Sequence, residues 1–248
     1  MRAVTCVSLA LVLLGNGAPP DKAAAQTPPV KAPVVLELYT SQGCSSCPPA
    51  DRLLKRYAER RDTIALSYNV DYWDYLGWKD TLGNPAFSAR QRLYARKRGD
   101  GEVYTPQIVV NGLSHAVGSM PREIDRAIDR SKSYLSDTRV PLDVRINSGK
   151  LTIEVGEAIV DQSATIWLAS VRSKVTVPVR RGENRGRTLT YHNVVRKVTP
   201  VGMWSGARTV IQLKNEDVLD SQADTCAILV QMGKSGPIVA ARWMPSPN

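Results

Sequence analysis

The sequence predicts an α/β domain followed by a β-rich, sandwich-like domain. Three observations carry that reading. Between residues 34 and 137, short apolar runs alternate with segments of helical periodicity, the pattern of strands layered against helices. After Val140 the helical period fades, and seven or eight short strand-like runs punctuated by Gly, Asn and Pro take over, as in a sandwich of roughly 100 residues. The length of 248 residues also exceeds the roughly 150 residues of one average domain.

Residues 34–39, Val-Val-Leu-Glu-Leu-Tyr, read as a buried strand. A helix follows from about Pro49 to Arg60, with Leu53, Leu54 and Tyr57 on one side. Residues 64–70 make a second strand, and an aromatic loop, Asp71-Tyr72-Trp73-Asp74-Tyr75, leads to a helix over 85–98. Residues 107–110 form a third strand that turns at Asn111-Gly112, a strong hairpin signal, into a short fourth strand at 113–117. Beyond Ser119-Met120-Pro121, residues Ile124, Ala127 and Ile128 recur at helical spacing, and proline is well tolerated where a helix starts. The later strands fall at 142–146, 151–155, 165–171, 175–179, 189–198, 209–213, 225–231 and 238–243. The boundary is expected between residues 138 and 139, giving domains 33–138 and 139–248. The same strands also fit an elaboration packed on the first domain's sheet.

At the N-terminus, Met1-Arg2 precedes an apolar run to Leu14 and then Ala23-Ala24-Ala25, the order of a secretory signal peptide. The run is too short to span a bilayer, which takes about 20 apolar residues. Residues 1–25 are therefore expected to be a cleaved signal and 26–32 a proline-containing leader, with an uncleaved anchor as the alternative. Cys6 lies inside the apolar run, so no lipoprotein anchor is indicated. The expected location is periplasmic or secreted, without stable membrane insertion once the signal is removed. A composition that is 43% hydrophobic and 23% charged suits a folded core. The net charge of +10 is spread along the chain, and no stretch interleaves basic residues with stacking aromatics, so no nucleic-acid partner is expected.

Past the signal, Cys44, Cys47 and Cys226 remain, in a compartment that favours disulfides or catalytic pairs. Cys226 sits in an apolar strand and reads as a small core hydrophobe. Cys44-Ser45-Ser46-Cys47 lies where the first strand feeds the first helix. The positive end of a helix favours a thiolate there, which makes Cys44 the attacking thiol and Cys47 the resolving one. Gly43 permits the sharp turn, whereas Pro48-Pro49 disfavours helical geometry just before it, so the helix is expected to start a residue or two late. Closed zinc sites take four ligands, and the chain offers no second C-x-x-C and only His115 and His192. A static structural disulfide is the stronger alternative.

Two further features bear on redox chemistry. Thr105-Pro106 stands just before the third strand, the place where thioredoxin-like folds carry a cis-proline facing the dithiol. That geometry would offer the Thr105 backbone to an extended partner peptide. The alternative is a trans proline opening an edge strand. Glu37 interrupts an apolar strand seven residues before Cys44. A buried carboxyl is suited to moving protons and would accept the proton of Cys47; the alternative is a solvated face or a nearby arginine partner.

The stretch from Glu37 through Thr40-Ser41-Gln42-Gly43-Cys44-Ser45-Ser46-Cys47-Pro48-Pro49-Ala50-Asp51 resembles a family of secreted bacterial proteins with a thioredoxin-like domain, catalogued as a domain of unknown function. The run from Val70 to Asp80, the residues Tyr104-Thr105-Pro106-Gln107 and, more loosely, 182–187 with 191–195 resemble it too. The resemblance covers nearly all of the chain after the signal. It implies a thioredoxin-like fold, the dithiol and export, and names no substrate. Asn69 stands where relatives are expected to carry histidine.

Tyr72, Trp73, Tyr75 and Trp78 crowd eight residues. Such aromatics gather where partners bind, but a satellite core beneath a loop is the favoured reading. Asp71 and Asp74 read as turn or capping residues, His192 as structural, and Arg180, Arg181, Arg185 and Arg187 as a basic, solvated loop. The leading expectation is an exported thiol–disulfide oxidoreductase with a protein or small-molecule disulfide or thiol partner and no cofactor. A copper-handling role is the second, because soft thiolates select Cu(I) and His115 remains as a third ligand. An envelope binding module with a static disulfide is the third.

Overall fold

Residues Val34–Thr40, buried throughout, form the central strand β1. Its side chains alternate between two covered faces, as a strand's must. Leu36 and Leu38 pack with Ala50, Leu54, Ile124 and Ile128, while Val35 and Tyr39 pack with Phe87 and Tyr94. β1 runs parallel to β2 (Thr63–Asn69) and antiparallel to β3 (Gln107–Val110), which pairs with β4 (Ser114–Val117). Helices α1 (Pro48–Ala58) and α3 (Pro121–Tyr134) cover the Leu36 face, and α2 (Pro85–Arg98) covers the other. Local chemistry bounds α2 at both ends. Asn84 accepts the Ala86 N–H at 2.9 Å, and Gly99 closes the helix at φ 82°, a left-handed cap that glycine adopts freely.

The computed structural model describes residues 32–136, 138, 140–219 and 221–245, all within one compact unit, Lys31–Asn248. The expected signal, and the leader except its last residue, lie outside the described residues. Three later strands, β5 (Leu142–Asn147), β6 (Lys150–Val155) and β9 (Thr209–Lys214), make a small antiparallel sheet, with the short helix α4 (Asn215–Val218) after it. The others do not form a separate sandwich. β7 (Ala164–Pro178), β8 (Thr188–Trp204), β10 (Thr225–Met232) and β11 (Ile238–Trp243) extend the first sheet to eight strands, in the order β11-β10-β7-β8-β2-β1-β3-β4.

The fold is thus mixed α/β, with one large mixed sheet and a second small sheet. The sandwich-like layer is local: Val144, Ile153 and Ile211 of the small sheet meet Ile166, Ile228 and Val230 of the large one. The expected boundary between residues 138 and 139 separates no two sheets, because β8 pairs with β2 through Ser67 and Val194. The runs at 165–171 and 175–179 are one strand, with a shift in pairing between Ser170 and Val171 that the sequence pattern reads as a break. Among the described residues, no helix is long and apolar enough to cross a membrane.

Glu37 helps tie the two halves together. It points away from α1, toward α2, where Oε1 accepts the Arg90 Nε–H at 2.8 Å and Oε2 accepts the Tyr94 hydroxyl. Arg90 also donates to Gln231 Oε1 of β10 at 3.1 Å, and Gln231 Nε2 donates to Tyr94 Oη at 2.8 Å. Glu37 and Gln231 have no exposed surface. A carboxylate so buried is stable only with an opposite charge beside it. Breaking such a pair from one side costs roughly 3–5 kcal/mol. Arg90→Met should therefore lower the urea unfolding midpoint sharply, and adding Glu37→Gln should recover part of the loss. A single-variant loss below about 1 kcal/mol, the scale of an exposed pair, contradicts this account.

Candidate functional site

β1 ends at Thr40, and the chain turns through Ser41, Gln42 and Gly43 into Cys44. That turn is bound from behind by the loop after β2. Asp80 accepts the Gln42 N–H at 2.7 Å and the Leu82 N–H at 2.8 Å. Asn69 donates to Asp80 Oδ2 at 3.1 Å. Gln42 in turn accepts the Trp78 indole N–H at 2.8 Å. A Cβ on Gly43 would stand 3.0 Å from Trp73 Cβ, so any larger residue would press the aromatic residue outward by a few tenths of an ångström. Trp73 and Trp78 are thus part-buried packing residues, Tyr75 is 77% exposed, Asp71 accepts the hydroxyl of Ser88 on α2, and Asp74 accepts the Asp80 N–H within the loop.

Cys44 and Cys47 are joined as a disulfide, with Cα atoms 5.4 Å apart. Cys47 is the N-cap of α1, and Pro48 and Pro49 fill the first two helical positions, where a missing N–H does no harm. This corrects the expected placement. Cys47, rather than Cys44, sits at the positive end of the helix, and Cys44 lies one turn ahead of it, its carbonyl accepting the Cys47 N–H at 3.2 Å. Ser46 Oγ lies 3.4 Å from Cys44 Sγ; a disulfide sulfur carries no hydrogen, so the hydroxyl is the donor.

The Thr105–Pro106 peptide bond is cis. Trp73 Nε1 donates to Thr105 Oγ1 at 2.8 Å. A Cβ on Gly118 would stand 3.2 Å from both Pro106 Cβ and Ala50 Cβ. These contacts bring the Thr105–Pro106 bend beside the first turn of α1. Glu37 is not brought to the dithiol. Successive strand residues point to opposite faces, so the sheet itself separates its carboxylate from Cys47, and Arg90 holds it.

A carboxyl does lie on the dithiol's side. Asp51 is four residues beyond Cys47 on the same face of α1, a spacing that puts Cβ atoms roughly 5–6 Å apart. It is 4% exposed; Oδ1 accepts the Thr40 hydroxyl at 2.7 Å, and Oδ2 has no partner among the described residues. Burial, reinforced by Asp80, pushes its pKa up to about 8 against the opposing effects of Thr40 and Arg52. Burial likewise raises Asp80, despite the N–H groups it accepts, and raises Tyr191 of β8, which also feels both aspartates.

A hairpin tip closes over the dithiol. Residues 179–187 link β7 to β8, and Asn184, with no exposed surface, donates from Nδ2 to the carbonyls of Gln42 and Cys44, each at 2.9 Å. Glu183 accepts the Ser45 N–H at 3.2 Å. Cys44 is left 1% exposed and Cys47 0%.

This C-x-x-C turn, with its helix, covering hairpin and all but the first residue of its strand, falls within residues 35–231, which match a family model described as a protein of unknown function, DUF1223. The chain belongs to that family. No curated protein matches it. A crystal structure of a protein from Agrobacterium tumefaciens is similar at 34% identity, over 87% of this chain and 96% of that one, with a TM-score of 0.77. HBP35 of Porphyromonas gingivalis is similar in fold, at 12% identity over 86% of this chain and 74% of that one, with a TM-score of 0.57.

Elsewhere in this DUF1223 chain, Cys226 is buried in β10 and its thiol is pushed up to about 12 by burial. His115 bonds to Tyr104 Oη at 2.8 Å and lies 3.3 Å from Asp100. Among the described residues no group of three His, Cys, Asp or Glu side chains is placed to hold a metal. His192 is half-buried on β8, its pKa lowered by burial and by Lys55 and Lys174. Asp51 and Asn184 are the residues that sequence reasoning passed over. Asp51 had a local signal, an acidic residue one helical turn past Cys47; Asn184 had only the loose family resemblance of residues 182–187, which gave it no role.

Asp51 makes stability depend on pH. The folded carboxyl keeps its proton up to about 8, while the unfolded chain releases it near 3.8. Between those values the folded state binds more protons, so stability falls as pH rises, by up to roughly 1.4 kcal/mol per pH unit. Asp51→Asn should remove that decline under oxidising conditions. Urea midpoints of both proteins at about pH 5 and about pH 8 check it, and parallel declines contradict it.

Proposed function

We propose that this protein is an exported thiol–disulfide oxidoreductase, working through Cys44 and Cys47 on a thioredoxin-like domain built from β1–β4 and α1–α3. The observation that carries the reading is the bonded Cys44–Cys47 pair at the head of α1, with the Asp51 carboxyl buried one turn behind it. The order β2-β1-β3-β4 and the bend at Thr105–Pro106 beside α1 support it.

In one direction, the Cys44 thiolate attacks a sulfur of the partner's disulfide. The Cys44–partner bond forms as the partner's own bond breaks, and the second partner sulfur leaves with the electron pair and takes a proton. Cys47 passes its proton to ionised Asp51 and attacks the Cys44 sulfur. The Cys44–Cys47 bond forms, the first partner sulfur leaves as a thiolate, and the partner has gained two electrons. A carboxyl that titrates near the ordinary thiol range, about 8.5, suits this transfer in both directions. The reverse reaction uses the same steps, and relative potentials set the direction. Thr105 offers its backbone to an extended partner segment, and the exposed ring of Tyr75, stacked on Trp73, adds an aromatic surface nearby.

Burial of both sulfurs favours a second reading, a binding module with a static disulfide. A glutathione titration separates the two. The oxidoreductase should show a reversible Cys44–Cys47 couple, Cys47→Ser should accumulate a mixed disulfide at Cys44, and Cys44→Ser should lose exchange. A bridge with a potential below about −300 mV, the range of structural disulfides, rejects the enzymatic reading. Export is tested separately: N-terminal sequencing of the mature protein should begin near Gln26, and retention of Met1 contradicts it.

A further inference from the structure

The catalytic reading leaves the hairpin tip without a role, although the tip bonds directly to the main chain of the C-x-x-C turn. Asn184 is buried completely, and its amide satisfies two main-chain carbonyls, Gln42 O and Cys44 O, on either side of Gly43. Its Oδ1 accepts the Arg187 Nη1–H at 3.0 Å, which fixes the amide's orientation. Glu183 adds the bond to the Ser45 N–H. Within the tip, Val179 N–H donates to Arg187 O and Gly186 N–H to Val179 O, each at 2.9 Å. A Cβ on Gly182, at φ 74°, would stand 3.1 Å from Trp78 Cβ, so the tip is seated on the same aromatic loop that holds the C-x-x-C turn.

The groups the tip occupies have a particular character. Two carbonyl oxygens and one N–H, all main-chain, are what an extended polypeptide pairs with when it lies along an exposed backbone. A polypeptide that displaces the tip can supply N–H donors to Gln42 O and Cys44 O and a carbonyl to Ser45 N–H. A small disulfide or thiol cannot replace all three, and leaving buried acceptors unpaired costs more than the bonds contribute when made. We propose that Asn184 is a specificity-determining residue, which holds the β7–β8 tip over the sulfurs and reserves the dithiol for polypeptide partners. The proposal rests on the oxidoreductase reading and narrows its partner from any disulfide or thiol to a protein.

The test compares the rate at which the oxidised whole chain is reduced by free cysteine and by an unstructured peptide containing one cysteine, both in excess and followed by alkylation and mass spectrometry. In Asn184→Ala, which loses three side-chain hydrogen bonds, two of them to the C-x-x-C turn, reduction by free cysteine should rise about tenfold or more, and the peptide's advantage over free cysteine should shrink. The midpoint potential should not move, because the carbonyls that Asn184 binds are the same in both redox states. Ile153→Val, a change in the buried face of β6 far from the tip, controls for general destabilisation and should leave both rates unchanged. An unchanged free-cysteine rate in Asn184→Ala, or an equal rise in Ile153→Val, overturns the proposal. A potential below about −300 mV instead overturns the oxidoreductase reading, and excess reductant lets the tip's effect be read in that case too.

Discussion

The pairing of β8 with β2 is the constraint on which both the core and the site depend. Its ladder is short: Ser67 and Val194 are partnered across it, and Asn193, at φ 48°, turns its amide to Ala65 O at 2.9 Å. Asparagine tolerates that left-handed backbone better than most residues, and its side chain supplies a bond that an ordinary strand would take from the main chain. With β8 held there, β7, β10 and β11 extend the same sheet. Apolar residues from both halves then share one face, Val35 and Leu66 beside Val171, Val195 and Leu229. The same pairing aims the β7–β8 tip at the C-x-x-C turn.

Two buried carboxyls show how placement sets role. Glu37 and Asp51 lie on opposite faces of the large sheet. Glu37 meets a guanidinium and a phenol and is fully bonded, so its charge serves the joint between α2 and β10. Asp51 meets a single hydroxyl, has a second oxygen without a partner among the described residues, and sits near another aspartate. Burial without a charged partner of opposite sign raises the Asp51 pKa to about 8, toward the range where thiols titrate. The dithiol side of the sheet therefore carries the carboxyl with an oxygen that has no partner among the described residues.

Much of the architecture is legible in the sequence. β1, α2, β3 and the small-sheet strands fall close to where periodicity and punctuation put them, because Pro85, Gly99 and Asn111-Gly112 are local signals. The C-x-x-C turn and Thr105-Pro106 were legible for the same reason, each being a short motif between recognisable elements. The separate second domain was not. A strand that completes another sheet and one that closes a sandwich have the same alternation of side chains, and nothing local distinguishes them.

The sequence by itself determined the elements, the dithiol and its neighbouring bend, since each depends on residues adjacent in the chain. It also marked Glu37 as an anomaly within β1, without saying which face of the sheet the side chain would join. Tertiary structure alone decided that Arg90 would claim Glu37, that Asp51 would lie behind Cys47 with one oxygen lacking a partner among the described residues, and that Asn184 would bond to Cys44 from 140 residues away. The reason is physical. Hydrogen bonds and burial are set by distance in space, and long separations along the chain close only when the whole sheet has assembled.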